Sequence, residues 1–544
     1  MKLAKSLLLG SAAGLCAVAG VAQAADLPMR KAAPVEYVRV CTAFGAGFFF
    51  IPGTDTCLRI SGRARFEYQY TSQRNARDVS GFRAIGRLAA DARTQTAYGA
   101  LRTFIRFDIM SRSGAYLSSG TAQRYALAFP GLGQDTFGRT QKHVDIDKAF
   151  VQFAGITAGR AASFFDFYAA DAEMIGANIV SNQGSTNLLA YTATFGNGFS
   201  ATISAEDPIF RRNPVYSPFA AAAFGSAAVS GASFLPTGSA AVTLGSSAFS
   251  AISIQNGVAN NFAFVDVVQR SRLPDFVGAL RVDQAWGSAQ VMGAVHEIAL
   301  GGVSTASQAT GTPAGVISPS GVFGPATARG YDQTEYGFAV AGGLKLNVPQ
   351  LAPGDTLWLQ AAYAQGASHY TGLFSPQGQE LQNSAYTGRS QFGGVDSALD
   401  INGRQHLTET YSFNAAFIHY FTPELRTGIF GSYGRVHFDS ALRGAASPLV
   451  GGFTTAANNF GIFNPTFKDY TNVYVGGNLI YSPVRDFDVG VEVVYERLEF
   501  LGGASGGRVA DLNKFPTQVN SANPFRTIKV DDNILVRMRV QRDF

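Results

Sequence analysis

From Leu58 onward the chain alternates between two chemistries residue by residue, and no other feature limits its possible folds as tightly. Leu58, Ile60, Gly62, Ala64, Phe66, Tyr68 and Tyr70 share one parity, while Arg59, Ser61, Arg63, Arg65, Glu67 and Gln69 share the other. The next two segments repeat it. Ala84, Gly86, Leu88, Ala90 and Ala92 oppose Arg83, Arg87, Asp91 and Arg93; Leu101, Thr103, Ile105, Phe107 and Ile109 oppose Arg102, Arg106 and Asp108. A period of two puts one set on each face of a strand, and about ten residues is the length of a tilted strand that crosses a bilayer. Apolar on one side and charged on the other suits a closed sheet with lipid outside and water within.

Sixteen such segments are expected between 57–70 and 527–544, an even number that leaves both ends of the sheet on one side. Short Pro- and Asp-containing turns, as at Thr422-Pro423-Glu424 and Pro483-Val484-Arg485-Asp486, alternate with long polar loops near 367–405, 440–469 and 501–524. The expected fold class is therefore all-β, a transmembrane antiparallel β-barrel of about 16 strands over 58–544, with short periplasmic turns and long extracellular loops. Soluble sandwiches have hairpins too, but rarely this alternation over hundreds of residues. The 143–163 pair is the least regular, because Lys148 and Gln152 break parity.

The two ends agree with export. Met1-Lys2-Leu3-Ala4-Lys5 is basic, Ser6 to Val21 is apolar and small, and Ala22-Gln23-Ala24 fits a cleavage site, so 1–24 reads as a signal peptide. The last strand ends on Phe544, an aromatic expected to act in assembly. No later segment is apolar for long enough to span as a helix. Abundant Gly (61), Phe (43) and Tyr (21) suit aromatic girdles and close strand packing. Cys41 and Cys57, separated by a Pro52-Gly53-Thr54-Asp55 turn in the 25–57 segment on the periplasmic side, favour a disulfide worth ~3 kcal/mol of loop-closure entropy. A metal or redox pair would want Cys-x-x-Cys spacing or nearby histidine; no cofactor or metal is expected.

Two stretches carry no strand pattern. The Ala-, Ser- and Gly-rich 207–274 reads as a long surface loop. Between the fifth and sixth strands, 164–184 holds Phe164-Phe165-Asp166-Phe167-Tyr168, then Asp171 and Glu173, and its aromatic content argues for a packed loop.

These residues resemble the alphaproteobacterial porins. The resemblance is carried by the run Val40 to Leu58, by Asp91-Ala92-Arg93-Thr94-Gln95-Thr96-Ala97-Tyr98-Gly99, by Asp147-Lys148-Ala149-Phe150-Val151-Gln152-Phe153-Ala154-Gly155, and by Leu280-Arg281-Val282-Asp283-Gln284-Ala285-Trp286-Gly287. It implies an outer-membrane, sixteen-stranded general diffusion porin that passes ions and small hydrophilic solutes passively. The third external loop, 164–184 here, would fold inward as a constriction. The implied partners are two further copies of the chain in a homotrimer, outer-membrane lipid and lipopolysaccharide, and the outer-membrane barrel assembly machinery. The chain departs from the family pattern in the size of 207–274 and in Arg542.

If the Leu58 parity faces lipid, then Arg59, Arg63, Arg65, Arg83, Arg87, Arg93, Arg102 and Arg106 face inward as a basic wall. With 164–184 inside, Asp166, Asp171 and Glu173 would oppose part of that wall, and charge with a narrow bore would set selectivity. The bland alternative is that each arginine only pairs with Glu67, Asp91 or Asp108 to hold strands together. A membrane-embedded hydrolase would need a nucleophile and a base fixed together, whereas the six histidines (His143, His296, His369, His406, His419, His437) are scattered without metal spacing. A surface scaffold or adhesin using the large loops is a further alternative. Nucleic-acid binding is excluded in practice, since the arginines alternate with lipid-facing groups.

Overall fold

The computed structural model describes residues 39–72, 78–114, 140–168, 171–176, 178–182, 184–213, 215–217, 239–242, 252–255, 258–259, 265–266, 271–300, 316–317, 323–324, 333–373, 396–399, 404–443, 469–501, 509–510 and 527–544. The expected signal peptide, the first part of the 25–57 segment and most of the run from 218 to 270 lie outside them.

Sixteen strands among the described residues form the barrel: β1 (Thr56–Thr71), β2 (Ser80–Thr96), β3 (Gly99–Ser113), β4 (Thr140–Phe153), β5 (Ile156–Ala161), β6 (Thr186–Gly196), β7 (Phe199–Glu206), β8 (Asp275–Gln284), β9 (Gly287–Ala299), β10 (Thr334–Asn347), β11 (Thr356–Gln365), β12 (Glu409–Thr422), β13 (Leu425–His437), β14 (Asp469–Val484), β15 (Phe487–Leu501) and β16 (Val530–Asp543). Each pairs antiparallel with the next, and β16 pairs with β1, so no barrel strand is left as an edge. Two-residue turns join β2 to β3, β4 to β5, β6 to β7, β8 to β9, β12 to β13 and β14 to β15, all at one end. Asn197-Gly198, both at positive φ (49° and 79°), makes the tight turn that the twist of the flanking strands favours.

Side-chain parity follows the sequence. Ile60, Phe66, Phe82, Leu88, Ile105 and Ile109 stand on the outer surface, while Glu67, Gln69, Asp91 and Arg537 are buried within. The irregular pair has a local cause. Arg106 pairs with Lys148 but Phe107 pairs with Ile146, so Asp147 is an extra residue in β4. Such a bulge turns two successive side chains the same way. The outward set changes from Val144 and Ile146 to Ala149 and Val151, and Lys148 points in, its Nζ donating to Gly184 O at 2.6 Å.

The interior is not water-lined all round, as a closed sheet with water within would imply. From β8 round to β16 the inner wall carries Trp358, Ala362, Ala364, Ala416, Phe430, Val494, Leu498 and Leu535, all buried. They pack against Phe165, Phe167, Tyr168, Ile175, Ile179 and Val180 of 164–184, and against Tyr370 and Leu373 of the next long connection but two. Phe167 and Tyr168 meet Trp358 edge-on, at 5.4 and 5.3 Å between ring centroids. Burial of each large side chain contributes roughly 1.5–3 kcal/mol. A sheet of sixteen strands encloses more space than its own side chains fill, and an apolar loop lying against one half of the wall recovers that burial.

At the short-turn end, Cys41 and Cys57 form the expected disulfide, and Phe49–Phe50 pairs with the start of β1. Arg542, the residue out of family pattern, sits at the same rim with Nη1 donating to Arg485 O at 3.3 Å.

Candidate pore constriction

Three adjacent strands bring the arginines together because cross-strand partners on one parity share a face. On β16, β1 and β2, Arg539, Glu67 and Arg83 are direct neighbours in register, as are Asp543, Arg63 and Arg87. Arg63 and Arg87 would repel if left alone. Each has its own carboxylate: Arg63 Nε reaches Asp543 at 2.5 Å, and Arg87 makes a two-pronged bond to Asp108 at 2.7 Å. Glu67, fully buried, accepts from Arg83 at 2.6 Å and from Arg539 at 2.7 Å. Arg65 donates to Gln541 at 2.8 Å. The planar fork lets each guanidinium pair on one edge and present the other to the lumen.

A cavity of about 600 Å³ lies against this wall. Arg63, Arg65, Arg83 and Arg87 line it, together with Arg426, Arg537 and Arg539, which sequence reasoning did not single out. Their signal was available, since all three keep inward parity on β13 and β16. Asp108, Asp145, Asp147 and Asp488 also line it.

The other four expected wall residues are placed elsewhere. Arg59 and Arg93 lie over the Phe48 ring, at 5.2 and 5.0 Å, beside the disulfide. Arg102 shares Asp91 with Arg93, at 3.0 Å, and covers the stacked Phe104 and Phe150. These three serve the short-turn end, below the cavity. Arg106 is paired with Asp147, whose carboxylate reaches the cavity.

The opposite boundary is the 164–184 loop, held by its main chain. Glu492 accepts from Met174 N at 2.7 Å and Ile175 N at 2.6 Å, and Asn478 Nδ2 donates to Ala172 O at 2.6 Å. Arg537 Nη1 donates to Met174 O at 3.1 Å, and Arg539 donates to the same oxygen. Ser432 and Gln360 accept from Ile179 N and Tyr168 N. Inward glycines on the wall make room. A Cβ at Gly428 would meet Ala172 O, and one at Gly343 the Phe167 ring.

The three loop acids differ in position. Asp171 is exposed and lines the cavity. Glu173 reaches its edge but is buried, accepting from Tyr168 Oη at 3.0 Å and Asn178 Nδ2 at 2.6 Å. Burial, reinforced by the neighbouring Glu492 carboxylate, pushes its carboxyl up to about 8, so at neutral pH it is protonated and adds no charge. Asp166 does not oppose the wall as expected. It is turned to the base of the loop and partly buried there, where Arg211 Nη2 donates to it at 2.9 Å and offsets the cost of taking the carboxylate out of water.

The described histidines with resolved partners are each spent on an aspartate. His296 meets Asp275 at 2.7 Å, His419 meets Asp355 at 2.7 Å, His437 meets Asp469 at 2.6 Å and His406 lies 3.6 Å from Asp439. His369 is buried, and the side chain of His143 lies outside the described residues.

The family described as the porin subfamily matches residues 26–515. Porin Omp2b of Brucella canis is 39% identical over 215 residues, covering 37% of this chain and 53% of that protein. Porin Omp2a of Brucella ovis is 37% identical over 218 residues, covering 37% and 59%. The chain thus spans about half the length of the curated relatives it matches. The outer membrane channel DcaP of Acinetobacter baumannii aligns with a TM-score of 0.50 at 14% identity, over 91% of this chain and 99% of that one, a likeness of fold alone.

Proposed function

The chain belongs to the porin family, and on that premise we propose that it forms a water-filled channel in the bacterial outer membrane through which ions and small hydrophilic solutes diffuse passively. The observation that carries this reading is the cavity bounded by the 164–184 loop on one side and by the arginines of β16, β1 and β2 on the other. Such a passage must be polar and narrow to discriminate, and charge at its walls acts across a short stretch of water.

Seven arginines and Asp108, Asp145, Asp147, Asp171 and Asp488 line the cavity, while Glu67 and Asp543 pair with Arg83, Arg539 and Arg63 from just behind it and Glu173 is neutral, so the total charge is close to balanced. The guanidinium edges that face the water, rather than the total charge, favour small anions. The field between Arg63, Arg65, Arg83 and Arg87 and the Asp171 edge of the loop orients dipolar solutes and disfavours apolar ones. In this reading 164–184 is the constriction loop, and the arginines near Phe48 act at the periplasmic vestibule. The working form is a homotrimer set in lipid and lipopolysaccharide, delivered by the barrel assembly machinery with Phe544 as the assembly residue. Family membership argues for a channel rather than an enzyme.

Single-channel recording in a planar bilayer under a salt gradient tests this. Discrete, ohmic steps with an anion-directed reversal potential are expected. Absence of conductance from folded, inserted protein would refute it.

A further inference from the structure

Arg211 belongs to neither the constriction nor the barrel wall. It follows the short 3-10 turn Pro208–Phe210, in the long connection that leaves β7. Its guanidinium is nonetheless buried in the base of the 164–184 loop. Nη2 donates to Asp166 Oδ1 at 2.9 Å, and Nη1 to Ser181 Oγ at 2.8 Å. Ser181 Oγ in turn donates to Asp166 Oδ1 at 2.6 Å. Asp166 and Ser181 stand near opposite ends of the loop, so this triangle closes its base. The Tyr370 ring lies 4.1 Å from the guanidinium carbon, and the Tyr370 hydroxyl donates to Asp275 at the start of β8.

Two residues further along, the same connection is tied down independently. Asn213 N donates to Asp396 Oδ2 at 2.9 Å, and Asn213 Nδ2 to Ser368 Oγ at 3.0 Å. Asp396 also accepts from Ser368 N and Oγ, at 2.9 and 2.6 Å. The segment that leaves β7 is thus tied by hydrogen bonds at two neighbouring points, through Arg211 to the loop base and through Asn213 to Asp396 and Ser368. Stripping water from a guanidinium and a carboxylate is costly unless both stay paired. Withdrawal of Arg211 would strip partly buried Asp166 of its hydrogen-bonded cation and Ser181 of its donor, so the loop base loses both ties at once.

We propose that Arg211 is a positioning residue for the constriction: the 207–213 segment pins the base of the 164–184 loop, and the position of that segment and the width of the passage change together. This inference rests on reading 164–184 as the constriction. A guanidinium suits the pin because its fork reaches an oxygen on each end of the loop at once, which an ammonium cannot do with the same geometry.

The test uses the full mature chain, folded and inserted in bilayers, as wild type, R211Q, R211K and N213A. Released loops fluctuate across the passage. R211Q is expected to raise open-channel current noise and sub-conductance visits several-fold and to shift the reversal potential. R211K is expected to fall between it and wild type, and N213A to move the same readouts less. A folded R211Q barrel with wild-type noise, conductance and reversal potential would overturn the pin. Should R211Q fail to fold, wild-type behaviour from both R211K and N213A would overturn it equally. If the wild type itself does not conduct, the channel reading fails. The pin is then judged by thiol labelling of A172C in the loop, which R211Q should accelerate at least several-fold and which an unchanged rate would refute.

Discussion

Gly62 and Phe544 close the barrel by exchanging both main-chain hydrogen bonds, Gly62 N to Phe544 O at 2.9 Å and Phe544 N to Gly62 O at 3.0 Å. The Phe544 ring lies over the bare Cα of Gly62, where a Cβ would strike the ring and stand 2.7 Å from Arg87 O. A side chain at 62 must displace either the ring or the neighbouring strand, and overpacking of this kind typically costs about 1–3 kcal/mol. G62V should lower the temperature at which the barrel loses its compact mobility on gel electrophoresis, while G86A, whose nearest neighbour lies at 3.9 Å, should leave it unchanged.

Selectivity should follow the wall arginines that line the cavity. A monovalent ion passing ~6 Å from one guanidinium in water gains or loses about 0.7 kcal/mol, roughly threefold in occupancy. R63S/R65S is expected to shift the reversal potential toward cations by a permeability ratio of that order per charge. R93S, whose guanidinium lies by Phe48 and Asp91, should shift it far less. Equal shifts from both variants would remove the distinction drawn between them.

Glycines on the inner wall set how closely the loop can lie. At Gly428 a methyl group would collide with Ala172 O, a backbone atom that cannot rotate aside. G428A is expected to lift the loop tip and change single-channel conductance while barrel melting moves by no more than about 1–3 kcal/mol. The contrast control is G431A, where the nearest atom is 3.5 Å away, and wild-type current is expected there.

Glu173 gives the passage a dependence on pH. Its carboxyl is raised from the ordinary value to about 8, so the folded protein holds a proton there that the unfolded chain releases above about 4.5. Folding therefore binds a proton, and stability contributed by this group falls as pH rises from about 4.5, levelling off above about 8. Over the upper part of that range a negative charge also appears at the cavity edge, and anion preference should weaken. Reversal potentials measured from pH 6 to 9 should show this drift in wild type and lose it in E173Q, which keeps a neutral group at the site.

Much of the barrel was legible because membrane strands obey a local rule. Lipid on one face and charge on the other fix each residue's side from its parity alone, so β8 is expected and found at 275–284 and the charged parity of β1 to β3 points inward. The rule lapses at β4, where one inserted residue, Asp147, reverses the sides of everything after it. Nothing in the composition of that segment marks the bulge except the broken parity at Lys148. Arg537 and Arg539 are legible in the same way as Arg63, because they too stand on the inward parity of their strand.

What parity could not reach is the disposition of the loops, because their contacts are to residues hundreds of positions away. Alternation, the cysteine pair and the spacing of turns were enough to specify a closed cylinder with a basic stripe on its inner face. Only the tertiary structure decided which half of that cylinder is filled by apolar packing around Trp358. It alone separated Asp171, exposed at the cavity, from Glu173, neutralised by burial, and from Asp166, turned away to Arg211. The physical reason is that a strand's environment is set by its two immediate neighbours and the solvent on each face. The charge state and direction of a loop carboxylate depend instead on how much water the whole fold leaves beside it.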